Sequence, residues 1–227
     1  MSNYKKLRDK AFNATPRGLS FEILAANSHL VYHPPVNPFG KHGHYTVYNE
    51  NSAICCPANE AMILYQIAEY LNPNTFIEIG SYAGWSSCHI LAAISPTNQF
   101  IAVDNFSECK DPLLVANTLH NSLFFYDNAD ICEMDSTEFL KQCHAKADVI
   151  FIDGFHRDGK PLEDVKASLN CLAEDGYIIL HDAWMPDVKV ASEWLIKQGF
   201  NHHTFETDNY LTIYSKEDLS WCQTISV

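Results

Sequence analysis

The sequence predicts an α/β domain built on a doubly wound, mostly parallel sheet. From Thr75 onward, short apolar runs rich in β-branched residues alternate with longer amphipathic stretches. The short runs are apolar on both faces, which is typical of parallel strands covered by helices on either side. Two late strands are separated only by Asp208-Asn209, too few residues for a crossover, so they must pair as an antiparallel hairpin.

The predicted elements follow one another in a regular order after a first helix over 59–71. Strands are predicted at 75–78, 99–103, 129–133, 148–152 and 176–180, with the hairpin at 200–207 and 210–214. Helices are predicted at 86–94, 112–123, 136–144, 161–173 and 188–197. Residues 1–58 are punctuated by proline and histidine and have one helix candidate near 19–26. We therefore expect 1–58 to be an N-terminal lid or wrapping segment and 59–227 to be the domain proper.

Composition and charge narrow the range of partners and locations. The chain has 227 residues, 47% of them hydrophobic, and a formal net charge of −13 without a dense run of Lys or Arg. Nucleic-acid binding depends on clustered cations, so no nucleic-acid partner is expected. The apolar runs are far shorter than the roughly 20 residues of a membrane span, and no secretory signal is visible. Eight cysteines without framework spacing indicate free thiols. Taken together, these features predict a cytoplasmic protein without a membrane partner.

The first strand ends in a glycine-containing turn, Glu78-Ile79-Gly80-Ser81-Tyr82-Ala83-Gly84-Trp85-Ser86. Ligands of open α/β sheets bind at the carboxyl ends of the strands, so this turn is the first candidate site. Gly80 and Gly84 allow a sharp turn and a close approach of the backbone. Tyr82 stands where a dinucleotide fingerprint requires glycine, and the Glu78 carboxylate repels a pyrophosphate. The turn therefore suits a ligand that carries an ammonium group.

A second acid, Asp104, ends the next strand, where a carboxylate can bind both hydroxyls of a ribose. An ammonium-bearing amino acid joined to a ribose describes S-adenosylmethionine (SAM). The alternative is an ordinary tight turn with a capping acid. After the third strand, Asp135 and Ser136 could contact the adenine or could simply cap the helix predicted at 136–144; both interpretations stay open.

Polar residues also follow the fourth and fifth strands. Asp153 and Asp182 should converge at one edge of the sheet, because neighbouring strands lie about 4.8 Å apart, and they could bind Mg²⁺. His156 could then accept a proton from a substrate hydroxyl that the cation polarises. His181 could be a ligand, a donor to a ligand or the base itself, and an imidazole ligand favours Mn²⁺, Fe²⁺ or Zn²⁺. The alternative is that the acids cap loops while His156 packs; Asp164 is expected on a solvated helix face.

Together these residues resemble a known family. The glycine turn with Asp104 resembles motif I and the ribose-binding acid of class I SAM-dependent methyltransferases, and the form E-x-G-x-Y-x-G-x-S is closest to the catechol-type O-methyltransferases. The run 151–156, then Asp164, then 176–184 is similar to macrolide-sugar O-methyltransferases. The resemblance covers about residues 55–215. It implies a seven-stranded sheet of order 3-2-1-4-5-7-6 with strand 7 antiparallel.

The resemblance also assigns roles to residues. Glu78, Gly80, Tyr82 and Ser86 would hold the methionine part of SAM, Asp104 the ribose, and Asp135 and Ser136 the adenine. The complete predicted cofactor site is Glu78, Gly80, Ser81, Tyr82, Gly84, Trp85, Ser86, Asp104, Asn105, Asp135, Ser136 and Asp153. The predicted catalytic residues are His156, Asp153 and His181.

The implied metal ligands are Asp153, Asp182 and His181, and here the chain departs from the pattern. The sugar enzymes have an acidic pair where this chain has His181-Asp182, and the catechol type has an Asp-Asn pair that would fall on Asp182-Ala183. Either register keeps Asp182 and loses one ligand. Both a reaction assisted by Mg²⁺ or another divalent cation and a metal-free reaction, with His156 or His181 as base, therefore stay open.

The sequence thus predicts a SAM-dependent O-methyltransferase that acts on a hydroxyl of a small molecule. Two alternatives are an NAD(P)-dependent oxidoreductase on a related sheet and a non-catalytic protein that binds SAM or serves in interactions. Residues that select the acceptor are expected within 29–56 and 184–187. The sequence leaves open the acceptor, the metal and whether the chain forms a homo-oligomer.

Overall fold

A computed structural model describes residues 30–33, 44–47, 56–109, 112–123 and 126–226 of the chain. The strands are β1 Leu30–His33, β2 His44–Val47, β3 Thr75–Ile79, β4 Gln99–Val103, β5 Ala129–Cys132, β6 Ala147–Ile152, β7 Leu172–Leu180, β8 Asn201–Phe205 and β9 Leu211–Ser215. The helices are α1 Ala58–Leu71, α2 Trp85–Leu91, α3 Pro112–Leu123, α4 Ser136–Gln142, α5 Lys160–Ser168 and α6 Pro186–Lys197, followed by a 3₁₀ turn at Ser220–Thr224.

Strands β3 to β9 form a single sheet in the order β5-β4-β3-β6-β7-β9-β8. Counted from β3 as strand one, this is the predicted order 3-2-1-4-5-7-6, and β9 is antiparallel to both of its neighbours. The predicted α/β fold is confirmed. The strand order reverses direction at β3, which pairs with β4 on one side and β6 on the other, so the carboxyl end of β3 is the switch point where ligands bind in such sheets.

Each face of the sheet packs against its own apolar cluster. Alternate residues of β3 separate to opposite faces, with Phe76 in one cluster and Ile77 in the other, as the two-residue period of a strand requires. Phe151 and Ile150 of β6 divide in the same way. The continuous apolar character of the strands therefore reflects burial on both faces.

Several predicted boundaries are wrong. The helix predicted over 161–173 ends at Ser168, and β7 begins at Leu172 instead of 176. Ala147 pairs with Leu172 but Val149 pairs with Tyr177, so β7 contains an irregularity that breaks the alternation on which sequence reading depends. The helix predicted to reach 94 ends at Leu91. The hairpin connection spans 206–210, longer than the two residues expected.

The predicted lid falls mostly outside the described residues, and so does the helix candidate near 19–26. Within the lid range, β1 and β2 form an antiparallel pair in which Tyr32 lies opposite Tyr45. No helix among the described residues is long and apolar enough to cross a membrane. The seven cysteines in the described ranges are free thiols, as the sequence predicted.

Backbone contact ties the loop after β3 to the loop after β6. Gly80 has φ +87°, and a Cβ atom at this position would lie 2.2 Å from the carbonyl oxygen of Asp153. On either side of the contact, Gly80 N donates to Val103 O at 2.8 Å and Asp153 N donates to Ile79 O at 2.9 Å. Only glycine meets both the conformational and the steric requirement here.

We expect Gly80→Ala to lower the free energy of unfolding by roughly 2–5 kcal/mol, because it adds backbone strain to an overpacked contact. Gly199→Ala is the matched control: Gly199 has φ +85° but open space around it, so only the conformational cost of about 1–2 kcal/mol applies. Urea unfolding of both variants measures the difference. Equal losses in the two variants would show that the contact with Asp153 adds no steric cost.

Candidate active site

A cavity of about 800 Å³ opens at the carboxyl ends of the central parallel strands. Ten of the predicted site residues line it: Gly80, Tyr82, Asp104, Asn105, Asp135, Ser136, Asp153, His156, His181 and Asp182. The other five belong to the glycine turn but are buried and do not line this cavity: Glu78, Ser81, Gly84, Trp85 and Ser86. Residues of the predicted cofactor site and of the predicted catalytic and metal site therefore line the same cavity.

Asp104 holds two strained stretches of backbone at the edge of the cavity. Its Oδ2 accepts a hydrogen bond from Tyr82 N at 2.8 Å, and its Oδ1 accepts one from Phe106 N at 2.7 Å. Tyr82 and Phe106 have φ values of +44° and +54°, which are unusual for residues with a side chain. Burial raises the pKa of Asp104 despite these donors. The acid at this strand end thus shapes the glycine turn as well as facing the cavity.

Glu78 lies fully buried beneath that turn. Ser87 donates a hydrogen bond to its Oε2, whereas Oε1 has no hydrogen-bond partner among the described residues. Burial raises the pKa of Glu78 to about 7, although serine hydroxyls, that of Ser86 among them, act to lower it. Sequence reading missed Ser87, whose position next to Ser86 at the start of α2 was the available signal.

The α4 N-terminus carries a polar network. Asp135 caps the helix, because its Oδ1 accepts a hydrogen bond from Glu138 N at 3.0 Å, and its Oδ2 pairs with Lys160 Nζ at 2.6 Å. The capping interpretation is therefore confirmed. Ser136 Oγ donates to both oxygens of Asp164, at 2.9 and 2.8 Å. The prediction that Asp164 lies on a solvated face is wrong, since it is only 1% exposed and holds the start of α4 in place.

Asp153, His156, His181 and Asp182 form a compact cluster in which one ligand atom from each residue lies within 4.8 Å of the others. His181 Nδ1 lies 2.8 Å from Asp153 Oδ1 and 3.4 Å from Asp182 Oδ2. His156 bridges the same acids, with Nε2 3.4 Å from Asp153 and Nδ1 3.6 Å from Asp182. The convergence expected from adjacent strands is observed.

The ionic state of the cluster follows from its buried charges. Burial by itself would lower the pKa of His181, but the neighbouring Asp153 carboxylate and the contacts with Asp182 and Glu60 raise it well above its usual value. Burial would likewise raise the pKa of Asp153, but His181 and His156 lower it to about 2. In the absence of a ligand, the cluster is thus held together by attraction between the His181 imidazolium and the neighbouring carboxylates.

The donor set could hold a divalent cation. His156 Nε2 and His181 Nδ1 are buried nitrogen atoms without a properly directed hydrogen bond to the described residues, although carboxylate oxygens lie near both. Buried polar atoms are rarely left this way without a ligand. Two imidazoles with two carboxylates suit Mn²⁺, Fe²⁺ or Zn²⁺ better than Mg²⁺.

Sequence reading also missed Glu60, which is fully buried in the first turn of α1. Its Oε2 lies 2.5 Å from His181 Nε2, on the side of the imidazole opposite the cluster. The two residues are 121 positions apart. No local pattern around residue 60 indicates this contact.

Comparison with known proteins also indicates a methyltransferase domain. Residues 77–183 match the family model described as a methyltransferase domain, a range that includes the glycine turn, Asp104 and the cluster. No curated protein matches the chain.

Several solved structures are similar in fold. The SAM-bound O-methyltransferase TomG of Streptomyces achromogenes, involved in tomaymycin synthesis, is 14% identical over 72% of this chain and 82% of its own, with a TM-score of 0.61. A Bacillus cereus O-methyltransferase bound to SAH is 12% identical over 73% and 84%, with a TM-score of 0.63. A putative caffeoyl-CoA O-methyltransferase from Staphylococcus aureus is 18% identical over 95% and 99%, with a TM-score of 0.62. At these identities the likeness shows the fold alone.

The buried Glu78 carboxylate predicts a pH-dependent stability. Its pKa is about 7 in the folded chain and 4.5 when exposed, so the folded state keeps a proton that the unfolded state has lost. Without ligand, Glu78 therefore costs stability as the pH rises between these values, by about 3 kcal/mol in total. We expect Glu78→Gln, which mimics the protonated acid, to gain stability over the wild type by this amount across that range and by no more above it.

Urea unfolding over that pH range measures the effect. Glu193→Gln makes the same chemical change at an exposed position on α6 and should show no such trend. A difference between Glu78→Gln and the wild type that stays constant with pH would contradict the assigned cause.

Proposed function

We propose that the chain, whose residues 77–183 match a methyltransferase-domain family model, is a class I SAM-dependent methyltransferase that transfers the methyl group of SAM to a hydroxyl of a small molecule. One observation carries the proposal: a single cavity joins the glycine turn and Asp104 to the Asp153, His156, His181 and Asp182 cluster. A methyl donor held by the first group and an acceptor held by the second would meet in one place.

SAM fits the size and charge of this cavity. A volume of about 800 Å³ is within the range typical of small-molecule sites. Five carboxylates contribute to the lining, against four basic side chains: Asp104, Glu108, Asp135, Asp153 and Asp182 against Arg157, Lys160, His156 and His181. SAM carries a sulfonium and an ammonium group, so an acidic cavity favours it over an anionic dinucleotide.

In this proposal Asp104 holds the ribose of SAM while its two backbone contacts keep the glycine turn in place. Glu78 acts from beneath the turn, because a cation bound above it favours the ionised carboxylate. Asp135 and Ser136 border the adenine, although each is already engaged, by Lys160 and Asp164 respectively. Asp135 and Ser136 are therefore held in place by other side chains of the protein.

On the acceptor side, we propose that Asp153, His181 and Asp182 hold a divalent cation, which when bound lowers the pKa of the acceptor hydroxyl. His156 accepts the hydroxyl proton as the oxygen attacks the methyl carbon and the bond from that carbon to sulfur breaks. The chain contributes mainly position and a proton acceptor. Trp184, in the segment predicted to select the acceptor, donates its indole N–H to Asp182 at 3.1 Å and so lies beside this cluster.

The direct test is turnover. We expect the purified chain to convert SAM to SAH with a panel of phenols, catechols and sugars, and expect Mn²⁺ to increase the rate and EDTA to decrease it. Thermal-shift measurements should show stabilisation by SAH and none by NAD or NADP. Stabilisation by NAD instead of SAH would overturn the proposal in favour of an oxidoreductase. SAH binding without turnover on any acceptor would favour a non-catalytic role.

The two halves of the site should separate in mutants. We expect Asp104→Ala to weaken SAM binding roughly 10–100-fold, because it removes charged hydrogen bonds. We expect His156→Ala to leave SAM affinity nearly unchanged and to lower kcat roughly 10²–10⁴-fold, because it removes the proton acceptor. Calorimetry with SAM and kinetics at saturating SAM check both. Equal losses of SAM affinity in the two variants would refute this division of roles.

A further inference from the structure

The buried carboxylate group of Glu60 makes two contacts, one through each oxygen. Its Oε2 lies 2.5 Å from His181 Nε2, and its Oε1 accepts a hydrogen bond from Asn209 N at 3.0 Å. The side chain is fully buried and does not line the cavity. Glu60 therefore joins α1 to the end of β7 and to the β8–β9 connection without touching any ligand in the cavity.

The chemistry of the two partners determines which atom of His181 carries a proton. A backbone N–H can only donate, so Asn209 occupies Oε1 as an acceptor. The contact with Oε2 raises the pKa of His181, which is the effect of an acceptor, so we take Nε2 as the donor and Oε2 as the acceptor. The other ring nitrogen, Nδ1, then faces Asp153 and Asp182.

We propose that Glu60 is a positioning residue: when a divalent cation displaces the Nδ1 proton of the His181 imidazolium to solvent, Glu60 keeps the other proton on Nε2, so that the Nδ1 lone pair faces the cation. This inference rests on the proposed cation site. A carboxylate behind a ligating histidine fixes the orientation of the ring and increases its basicity as a ligand. Here the carboxylate comes from α1, on a segment that the cluster itself does not include.

Glu60→Gln tests the proposal because both partners of Glu60 are donors. Glutamine offers one acceptor and one donor group in the same volume. If its oxygen faces Asn209, its amide group donates to His181 Nε2 and moves the proton to Nδ1, where it blocks the cation. If its oxygen faces His181, the glutamine amide group faces Asn209 and leaves the Asn209 N–H unpaired. The amide oxygen is then also a weaker acceptor for His181 Nε2 than a carboxylate oxygen.

Calorimetry with Mn²⁺ alone, without acceptor, supplies the readout. We expect Glu60→Gln to weaken Mn²⁺ binding roughly 10–100-fold while SAH affinity stays within about twofold, since Glu60 does not line the cavity. Glu133→Gln is the matched control: Glu133 pairs with His120 at 2.7 Å on the surface, so the same chemical change at a histidine pair should leave Mn²⁺ affinity unaltered.

The outcomes separate this inference from the function beneath it. Mn²⁺ binding to the wild type with equal binding to Glu60→Gln overturns the role of Glu60 and leaves the methyltransferase proposal standing. No Mn²⁺ binding to the wild type overturns the cation site and the role of Glu60 together, while SAH binding still tests the methyltransferase proposal by itself.

A second measurement needs no variant and therefore does not depend on whether Glu60→Gln folds. In the wild type loaded with one equivalent of Zn²⁺, nitrogen NMR of His181 should show a protonated Nε2 and an unprotonated Nδ1. A proton on Nδ1 in the loaded protein would overturn the proposal.

Discussion

The whole site depends on the approach of two loops through their backbones. Gly80 packs against the carbonyl group of Asp153 so closely that no side chain can stand between them. The glycine turn and Asp153, the acid that begins the cluster, both line the cavity and are therefore fixed to each other directly. A displacement of either β3 or β6 therefore moves the glycine turn and Asp153 together. This suits a reaction that needs two bound molecules in line.

A second constraint is electrostatic. Several carboxylates lie in or beside the cavity, and they differ in how far neighbouring groups compensate their charge. Lys160 satisfies Asp135, while hydroxyl groups satisfy the buried Asp164. At the ends of β6 and β7, the ion-pair partners of Asp153 and Asp182 among the described residues are the two imidazoles of His156 and His181. The uncompensated negative charge thus lies where a sulfonium cofactor and a metal cation would bind, and the protein's net charge of −13 reinforces this.

The sequence predicted what depends on neighbours along the chain. Apolar strands, the glycine turn and the acids at the strand ends all follow local rules, so the sheet and the place of the site were predictable. The start of β7 was not, because the irregularity opposite Ala147 is set by pairing with another strand. The same holds for Asp164, whose burial depends on α4, and for Phe106, whose strained backbone depends on Asp104. Such contacts arise only after distant segments have packed.

Glu60 shows most clearly why local reading is incomplete. The resemblance to sugar O-methyltransferases expects an acidic pair at 181–182, and this chain has a histidine in the first position. A histidine brings no negative charge, and as a neutral ligand of a cation it has two nitrogen atoms that compete for one proton. In our proposal Glu60, 121 residues earlier in the chain, provides the acceptor that fixes this proton. The departure at 181 and the buried acid at 60 are thus best understood as one feature, because a buried carboxylate without His181 would be costly and His181 without it would lack a fixed tautomer.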